Sequence, residues 1–262
     1  MLSIVATPIG NLGDITLRAI ETLKTCDAIV CEDTRVTGNL LKQLGLPKKE
    51  LISFHSHTYP QKLDAILERL GKGQHLALVS DAGTPGISDP GYALVAAVVQ
   101  SQIEHCHPER SRRATMLTMT HDNTAATTPE SSLRATLQPT TYNLTPVPGP
   151  SAFLAALSAS GLTINQFLYL GFLPIKKGRQ TLLRSLTAEE RTIVFYESVH
   201  RIERTLRELA EVFSDQPQRQ IVIARELTKL HEEVLRTIIV DLPNVASTIM
   251  KKGEFVVVVG PL

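Results

Sequence analysis

The sequence predicts an α/β protein with two domains, residues 1–148 and 149–262. In the first half, short apolar runs alternate with loops and helical patterns, which is typical of a mostly parallel sheet with helices on its faces. In the second half, helical patterns separate five apolar runs, and the last two runs lie close enough for antiparallel pairing, so we expect a mixed sheet. A chain of 262 residues with 43% hydrophobic residues can fill two such cores.

Composition limits the compartment and the partners. A net charge of +1 gives no global sign of nucleic-acid binding, so any such role must rest on local patches. The three cysteines form no Cys-x-x-Cys pair, and the longest unbroken apolar run is Ala93 to Val99. Because the amino terminus also lacks a basic leader, we expect a cytoplasmic protein without a membrane segment.

The first half repeats a strand, a loop and a helix. Leu2 to Ala6 is a predicted strand that opens into a loop with two glycines, and Asp14 is the predicted N-cap of the next helix. The strand Ala28 to Cys31 follows and ends at Glu32-Asp33-Thr34-Arg35. The next elements are a helix ended by Gly45, the strand Ile52 to Phe54, the helix Lys62 to Leu70 and the strand Leu76 to Val79.

The most informative stretch, Ser80 to Gly91, reads SDAGTPGISDPG. Three glycines and two prolines in twelve residues predict a stiff loop whose backbone a ligand can approach closely. The loop leaves the carboxyl end of a predicted strand, which is where open α/β sheets bind ligands. The alternative is a structural turn rich in glycine and proline.

Residues 104–142 differ in character from the rest of the chain. They include twelve Ser or Thr residues, scattered prolines and a basic run at Arg110, Arg112 and Arg113, without a sustained apolar period. Such a stretch cannot bury enough apolar surface to offset its ordering entropy, so we expect a mobile, atypical insertion. Two roles stay open: an arm that contacts RNA, and a tolerated insertion without a part in the chemistry, which we favour.

Beyond the insertion, Asn143 to Val147 is extended and Pro148-Gly149-Pro150-Ser151-Ala152 turns into the helix Phe153 to Ser160. Ser151 is the predicted N-cap of that helix. The expected strands of the second domain are Phe167 to Phe172, Thr192 to Tyr196, Gln220 to Ala224, Val234 to Val240 and Phe255 to Val259, with helices near Arg179 to Leu186 and Val199 to Phe213.

Common signatures of phosphate and metal sites are missing from the sequence. Gly71-Lys72-Gly73 lacks the spacing of a P-loop, and His231-Glu232-Glu233 lacks the second histidine of a zinc protease. His105, Cys106 and His107 are too close together to surround one ion, so no metal is expected.

Seven motifs nevertheless carry a resemblance over nearly the whole chain outside the insertion. They are TPIGNLGDITLRA from Thr7, EDTR from Glu32, SDAGTPGISDPG, PGPSA, GFLPIKKG from Gly171, FYESVHR from Phe195 and ARELTKLHEE from Ala224. Together they resemble the bacterial ribosomal RNA small subunit methyltransferase I family, part of the tetrapyrrole methylase superfamily. The resemblance implies methyl transfer from S-adenosyl-L-methionine to the ribose 2′-hydroxyl of a cytidine in the decoding centre of 16S rRNA. It also implies a homodimer and a cofactor cleft between the two domains.

By position, the resemblance implies a cofactor site made of loops, helix starts and strand ends. The implied residues are Pro8, Thr84, Pro85, Gly86, Ile87, Ser88, Ser151, Ala152, Tyr196 and Ala224. Glycine-rich loops and helix starts offer the amides that the carboxylate and ribose of the donor need.

The attacking 2′-hydroxyl is a weak nucleophile, so a neighbouring group should accept its proton. The catalytic candidates are Glu197 and Lys229, ranked first, and Glu226, Asp33 and Glu32. A lysine would need a lowered pKa to act as the base. The alternative is that the pairs Arg225 with Glu226 and Arg35 with Asp33 only hold loops.

Two basic clusters are candidates for binding the RNA backbone. One comprises Lys176, Lys177 and Arg179, and the other comprises Arg201, Arg204 and Arg207, spaced three residues apart on a predicted helix. A solvated helix face is the alternative for Arg204 and Arg207. Five Tyr, seven Phe and no Trp argue against an extensive base-stacking surface.

Two departures from the family pattern concern RNA binding more than cofactor binding. They are the insertion and the end of the chain soon after Phe255 to Val259, where family members continue into a further segment. Two other functions therefore stay open: a porphyrin or corrin precursor methylase, and a cofactor-binding protein inactivated by the insertion. EDTR, FYESVHR and RELTK weigh against the first, because they resemble the RNA branch of the superfamily.

Overall fold

The computed structural model describes residues 1–54, 59–106 and 143–262, which form two compact units. The first comprises Met1–Val5, Leu17–Asp81 and Asp89–Val147, and the second comprises Ala6–Thr16, Ala82–Ser88 and Pro148–Leu262. The predicted domains 1–148 and 149–262 placed two loops, Ala6–Thr16 and Ala82–Ser88, in the first domain, whereas they belong to the second unit. Beyond its first three residues, the predicted insertion 104–142 lies outside the described residues.

The first unit is built on a parallel sheet, as predicted. Its strand order is β3-β2-β4-β1-β5, and every neighbouring pair is parallel. The central strands β2 and β4 are buried along their whole length, as expected when both faces of a sheet are covered. The elements are β1 Leu2–Val5, α1 Leu17–Thr25, β2 Ala28–Cys31, α2 Thr34–Gln43, β3 Glu50–Ser53, α3 Tyr59–Gly71, β4 Leu76–Val79, α4 Gly91–Cys106 and β5 Leu144–Val147.

The cap of the first helix was predicted wrongly. Asp14 ends a short 3-10 turn, Leu12–Asp14, whose own cap is the Asn11 side chain, which accepts the Gly13 amide at 2.9 Å. Because this turn precedes α1, the helix begins only at Leu17. Asp33 is instead the N-cap of α2, where its carboxylate accepts the Arg35 amide at 2.8 Å.

The second unit is built on a mixed sheet of strand order β6-β7-β10-β8-β9. β6 and β7 are parallel and the other pairs are antiparallel, so the predicted mixed sheet is confirmed. The predicted pairing of the last two strands is wrong, because the almost entirely buried β10 lies between β7 and β8 and leaves β9 at the edge. The elements are α5 Ala152–Ser160, β6 Phe167–Phe172, α6 Arg179–Ser185, β7 Thr192–Ser198, α7 Ile202–Val212, β8 Gln220–Arg225, β9 Glu233–Ile238, α8 Leu242–Thr248 and β10 Glu254–Val259.

The two faces of this sheet carry separate cores, because successive strand residues point in opposite directions. On one face, Phe195 and Val257 pack with residues of α6, α7 and α8. On the other, Val194 and Val256 pack with Phe153 and its neighbours on α5. No helix within the described ranges is both long enough and apolar enough to cross a membrane.

Candidate functional site

A pocket of about 400 Å³ opens in the second unit, on the sheet face that packs against α5. Its volume lies in the range of roughly 300–1,000 Å³ that is typical of small-molecule sites. All of its lining residues belong to the second unit. They are Ile9, Ala82, Gly83, Thr84, Ile87, Ser88, Ser151, Ala152, Phe172, Tyr196 to Val199, Ala224, Leu227, Lys229 and Gly253 to Val256.

Hydrogen bonds join three sequence-distant loops at this pocket. Thr7 and Gly83 exchange backbone hydrogen bonds at 2.8 and 3.0 Å, and the Thr84 hydroxyl donates to the Pro150 carbonyl at 3.0 Å. Gly149 approaches Ala6 so closely that a Cβ there would lie 2.9 Å from the Ala6 Cβ. These contacts explain why the loops Ala6–Thr16 and Ala82–Ser88 belong to the second unit.

The pocket concentrates the backbone strain of the described chain. Three non-glycine residues there have positive φ: Ser88 at 62°, Glu226 at 49° and Thr228 at 64°. Ser88 lines the pocket, and the other two flank the lining residue Leu227. Strain of this kind costs about 1–3 kcal/mol per residue and typically clusters at functional sites.

A chain of hydroxyl groups runs along the pocket wall. The Ser88 hydroxyl and the Tyr169 hydroxyl lie 2.6 Å apart. The Tyr196 hydroxyl interacts in turn with Tyr169, with the Ser151 side chain and with the Phe153 backbone, and burial raises the pKa of Tyr196 to about 12. Ser151 occupies the N-cap position of α5 but makes no side-chain cap hydrogen bond, contrary to the prediction. Tyr169 was not predicted, since the strand pattern gives no sign of this contact.

Lys229 forms ion pairs with the carboxylates of Glu226 and Glu254. Its Nζ is 2.8 Å from Glu226 Oε1 and 2.9 Å from Glu254 Oε2. Partial burial alone would lower the pKa of Lys229, but these two hydrogen bonds outweigh it and raise that pKa. The hydrogen bond from Lys229 lowers the pKa of Glu226, whose Oε1 also accepts the Glu254 amide. The raised pKa favours the ammonium form of Lys229 in this pair, and a role of Lys229 or Glu226 as the general base stays a prediction.

Glu197 was also predicted as a base, and in the structure its carboxylate is enclosed by hydrogen-bond partners. Its side chain follows Phe195 by two positions on β7 and therefore leaves the sheet on the face opposite to Tyr196. It is 1% exposed, and its carboxylate accepts the Thr205 hydroxyl at 2.7 Å and the Ser198 amide at 2.8 Å. The enclosed carboxylate holds neighbouring elements together, while Glu197 also belongs to the pocket lining, so its role as a base stays a prediction.

The Glu197 carboxylate is the centre of a buried ion network. Arg201 Nη2 is 2.8 Å from it, Arg179 Nη2 is 3.8 Å from it, and Arg179 also pairs with Glu208 at 2.7 Å. Arg179 is only 3% exposed, so its predicted RNA contact is wrong, and Arg201 is likewise engaged with Glu197 and with the Leu173 carbonyl. Both arginines were predicted as free surface charges because a sequence does not distinguish a paired guanidinium group from a free one.

The exposed cations of the two predicted clusters differ from one another. Arg204 pairs with Glu208 at 2.9 Å, and Arg207 pairs with Glu203 at 3.2 Å. Lys176 and Lys177 are exposed on the loop before α6. They remain the RNA-binding candidates.

Asp33 and Glu32 lie in the first unit, after β2. Asp33 and Arg35 form an ion pair at 2.6 Å, and the hydrogen bonds from Arg35 lower the pKa of Asp33 to about 2. The ion pair that was the alternative role of Asp33 is present in the structure, and a catalytic role of Asp33 stays a prediction. Partial burial, and then the charges of Asp81, Asp89 and Asp33, raise the pKa of Glu32.

The predicted cofactor residues converge on the pocket to a large extent. Those that line it are Thr84, Ile87, Ser88, Ser151, Ala152, Tyr196 and Ala224. Pro8, Pro85 and Gly86 do not line it, although each adjoins a residue that does. Leu227, Phe172 and Val256 line it and were not predicted. Within the described ranges, no cluster of His, Cys, Asp and Glu side chains is arranged to hold a metal ion.

Comparisons with known proteins give one family. A family model described as tetrapyrrole (corrin/porphyrin) methylases matches residues 1–106 and 125–243. A protein of Synechocystis named ribosomal RNA small subunit methyltransferase I is 41% identical over 260 residues, which cover 99% of this chain and 78% of the relative. A protein of the same name from Thermotoga maritima is 40% identical over 235 residues, which cover 90% of this chain and 86% of the relative.

Solved structures share the fold at low sequence identity. The methyltransferase CobJ is 19% identical with a TM-score of 0.63, over 99% of this chain and 93% of that chain. A uroporphyrin-III C-methyltransferase from Thermus thermophilus in complex with S-adenosylhomocysteine is 14% identical with a TM-score of 0.59, over 99% and 96% of the two chains. At this identity the similarity is one of fold.

Proposed function

The chain belongs to the tetrapyrrole methylase family, and we propose that it methylates the RNA of the small ribosomal subunit with S-adenosyl-L-methionine as the methyl donor. The finer parts of the proposal are the target, the 2′-hydroxyl of a cytidine in the decoding centre of 16S rRNA, a homodimeric state and a cytoplasmic location. Relatives near 40% identity support the RNA substrate. The corrin and porphyrin methylases share only 14–19% identity, so a tetrapyrrole substrate is the weaker alternative.

The observation that carries the proposal is the positive φ of three non-glycine residues at the pocket. Ser88 lines the pocket, and Glu226 and Thr228 flank its lining residue Leu227. These residues belong to the motifs SDAGTPGISDPG and ARELTKLHEE, on which the family resemblance partly rests. A backbone that keeps three unfavourable conformations around one pocket must be held there by its surroundings, which is typical of a preorganised binding site.

The residues of the pocket suit the donor. Its lining is mainly apolar, with a few convergent polar groups, as small-molecule sites require. Ala224, Leu227 and Val256 offer an apolar surface to an adenine ring, and the first turn of α5 at Ala152 offers amides to a carboxylate. The donor, when bound, supplies an activated methyl group on a sulfonium centre.

The contribution of the chain that its contacts support is binding and orientation, whereas proton acceptance by Glu197, Glu226 or Lys229 stays a prediction. The loops around Thr84 and Ser151 are fixed to each other by the hydrogen bond from Thr84 to Pro150, so both sides of the pocket keep their positions before a ligand arrives. Fixed alignment of the reacting atoms can supply several kcal/mol of barrier reduction in a displacement reaction.

Two measurements on the whole chain test the proposal. Calorimetry should detect binding of S-adenosyl-L-methionine, and tritiated donor should label 16S rRNA in 30S subunits prepared without this methyl group. Label in a tetrapyrrole precursor instead of RNA would support the porphyrin and corrin alternative. Cofactor binding without label in either substrate would support the inactive alternative. Light scattering after size exclusion tests the homodimer.

A further inference from the structure

We propose that the segment Phe172–Lys177 is the substrate platform of this site, on which Phe172 stacks against one base of the RNA while Lys176 and Lys177 contact the adjoining phosphates. The proposal rests on the proposed function and deepens it, because it names the part of the RNA that each residue contacts. Phe172 belongs to the pocket lining, whereas Lys176 and Lys177 lie outside it.

Phe172 is placed for such a contact. It ends the edge strand β6 and lines the pocket, yet 53% of its surface is exposed. Its ring centroid lies 5.4 Å from that of Tyr196, at an interplanar angle of 45°, so one part of the ring is supported while the rest is open. A half-open aromatic ring at a pocket lining offers a stacking face to a base, and every base has a π-face.

The chain that follows Phe172 carries two positive charges four and five positions later. Ile175 is 68% exposed, and Lys176 and Lys177 are exposed. The arginines of both predicted RNA clusters are neutralised by carboxylates, as Arg179 is by Glu208 and Arg201 by Glu197. The two lysines are the exposed residues of these clusters whose charge suits a phosphate backbone.

The buried ion network gives the platform a fixed base. Arg201 Nη1 donates to the Leu173 carbonyl at 2.9 Å, and Arg179 Nη1 donates to the Pro174 carbonyl at 3.1 Å. The side chains of the network are thus positioning residues: they hold the backbone between Phe172 and the lysines. On the other side, Gly171 has φ of 62° and passes Ser88 so closely that a Cβ there would lie 3.0 Å from the Ser88 hydroxyl.

One stacked base agrees with the composition. The sequence contains too few aromatic residues for an extended stacking surface, and a single ring suffices to hold one nucleoside at a pocket. The lysines then fix the register of the strand without reading its sequence.

The aromatic contact is tested with Phe172→Ala, Phe172→Leu and Phe172→Tyr, and with Tyr92→Ala as a matched control at an exposed aromatic residue of the other unit. We expect Phe172→Ala and Phe172→Leu to weaken binding of a short RNA around the target cytidine by about 5- to 150-fold, the range of one lost base stack. Phe172→Tyr and Tyr92→Ala should bind like the wild type. Calorimetry with S-adenosyl-L-methionine should stay within about twofold for Tyr92→Ala, and any loss of cofactor affinity in the Phe172 variants should be smaller than their loss of RNA affinity. Unchanged RNA affinity in Phe172→Leu, or an equal loss of cofactor affinity, would overturn the proposal.

The charge contact is tested by replacing Lys176 and Lys177 together with alanine. The slope of log affinity against log salt should become shallower by about 1.5, since each phosphate contact contributes roughly 0.7–0.9. A double variant of the exposed residues Lys24 and Lys42 is the control for lost charge alone. An unchanged slope would contradict the role of the lysines. If the wild-type chain itself labels no RNA, the proposed function fails; if the wild type is active and these variants behave like it, only the platform fails.

Discussion

Replacement of Glu197 by glutamine separates a structural role from a catalytic one. The wild-type carboxylate accepts hydrogen bonds from the Ser198 amide and the Thr205 hydroxyl, and it forms ion pairs with Arg201 at 2.8 Å and Arg179 at 3.8 Å. Removing one partner of a buried ion pair typically costs about 3–5 kcal/mol. Glutamine keeps the size and one acceptor oxygen, and Arg179 keeps Glu208 at 2.7 Å, so we expect the lower end of that range, about 3 kcal/mol.

The assay measures thermal or urea unfolding of the whole chain and, in parallel, the rate of methyl transfer. A loss of about 3 kcal/mol should lower the midpoint of the second unit's transition by about 10 °C. Glu203→Gln is the matched control: the same substitution on α7 in a half-exposed pair with Arg207, where a loss of at most about 1 kcal/mol is expected. At a temperature where Glu197→Gln is fully folded, its cofactor affinity should equal that of the wild type.

A different pair of results would refute this reasoning. If Glu197→Gln unfolds at the wild-type midpoint but loses methyl transfer by several orders of magnitude, the carboxylate acts in the chemistry and its enclosure in the ion network is not what matters. A midpoint shift no larger than that of Glu203→Gln would show that the network contributes little to stability.

Three further outcomes follow from the structure. The pKa of Tyr196 is raised from an ordinary 10.0 to about 12, so its contribution to stability is complete below pH 10 and is lost as pH rises toward 12. In a titration followed by absorbance at 295 nm, Tyr196→Phe should remove one tyrosine that ionises late. An unchanged titration curve would contradict this. Gly149→Ala should cost about 1–3 kcal/mol in urea unfolding because its Cβ would crowd Ala6, so a neutral result would show that the turn can relax. Burial and neighbouring carboxylates raise the pKa of Glu32, so its contribution to stability is present below its unfolded pKa and is lost as pH rises through its folded pKa; Glu32→Gln should leave the thermal midpoint at pH 7 unchanged or about 1–2 °C higher, and a clear decrease would contradict the repulsion.

Local patterns were sufficient to predict most elements. The strands Ala28–Cys31, Leu76–Val79 and Phe167–Phe172 were predicted with their observed bounds, because each is a short apolar run between polar or glycine-rich segments. The order of strands in a sheet depends on which strand is buried on both faces. For that reason the position of β10 between β7 and β8 was missed.

The site shows a similar division. The loop Thr84 to Ser88 was predicted to lie near Ser151, and Thr84, Ile87 and Ser88 line one pocket together with Ser151. This could be predicted because glycine and proline restrict or permit particular backbone conformations and so mark such loops in a sequence. Charged side chains were predicted poorly. Glu197 and Arg179 are buried, Arg201 is partly buried, and both arginines pair with Glu197, whereas a sequence does not distinguish a paired interior charge from an exposed one.

Because the second unit includes two loops from the amino-terminal part of the chain, a single cut cannot separate the two units. A fragment starting at Pro148 would lack Ala6–Thr16 and Ala82–Ser88, so Pro150 would lose the hydroxyl of Thr84, and Thr228 would lose the amide of Asn11 that lies 217 positions earlier. During synthesis these amino-terminal loops therefore cannot form their native contacts until the segment Pro148–Leu262 has been made. Dissection into two consecutive halves should yield an incomplete second half, and only a fragment that carries both loops can reproduce the whole pocket.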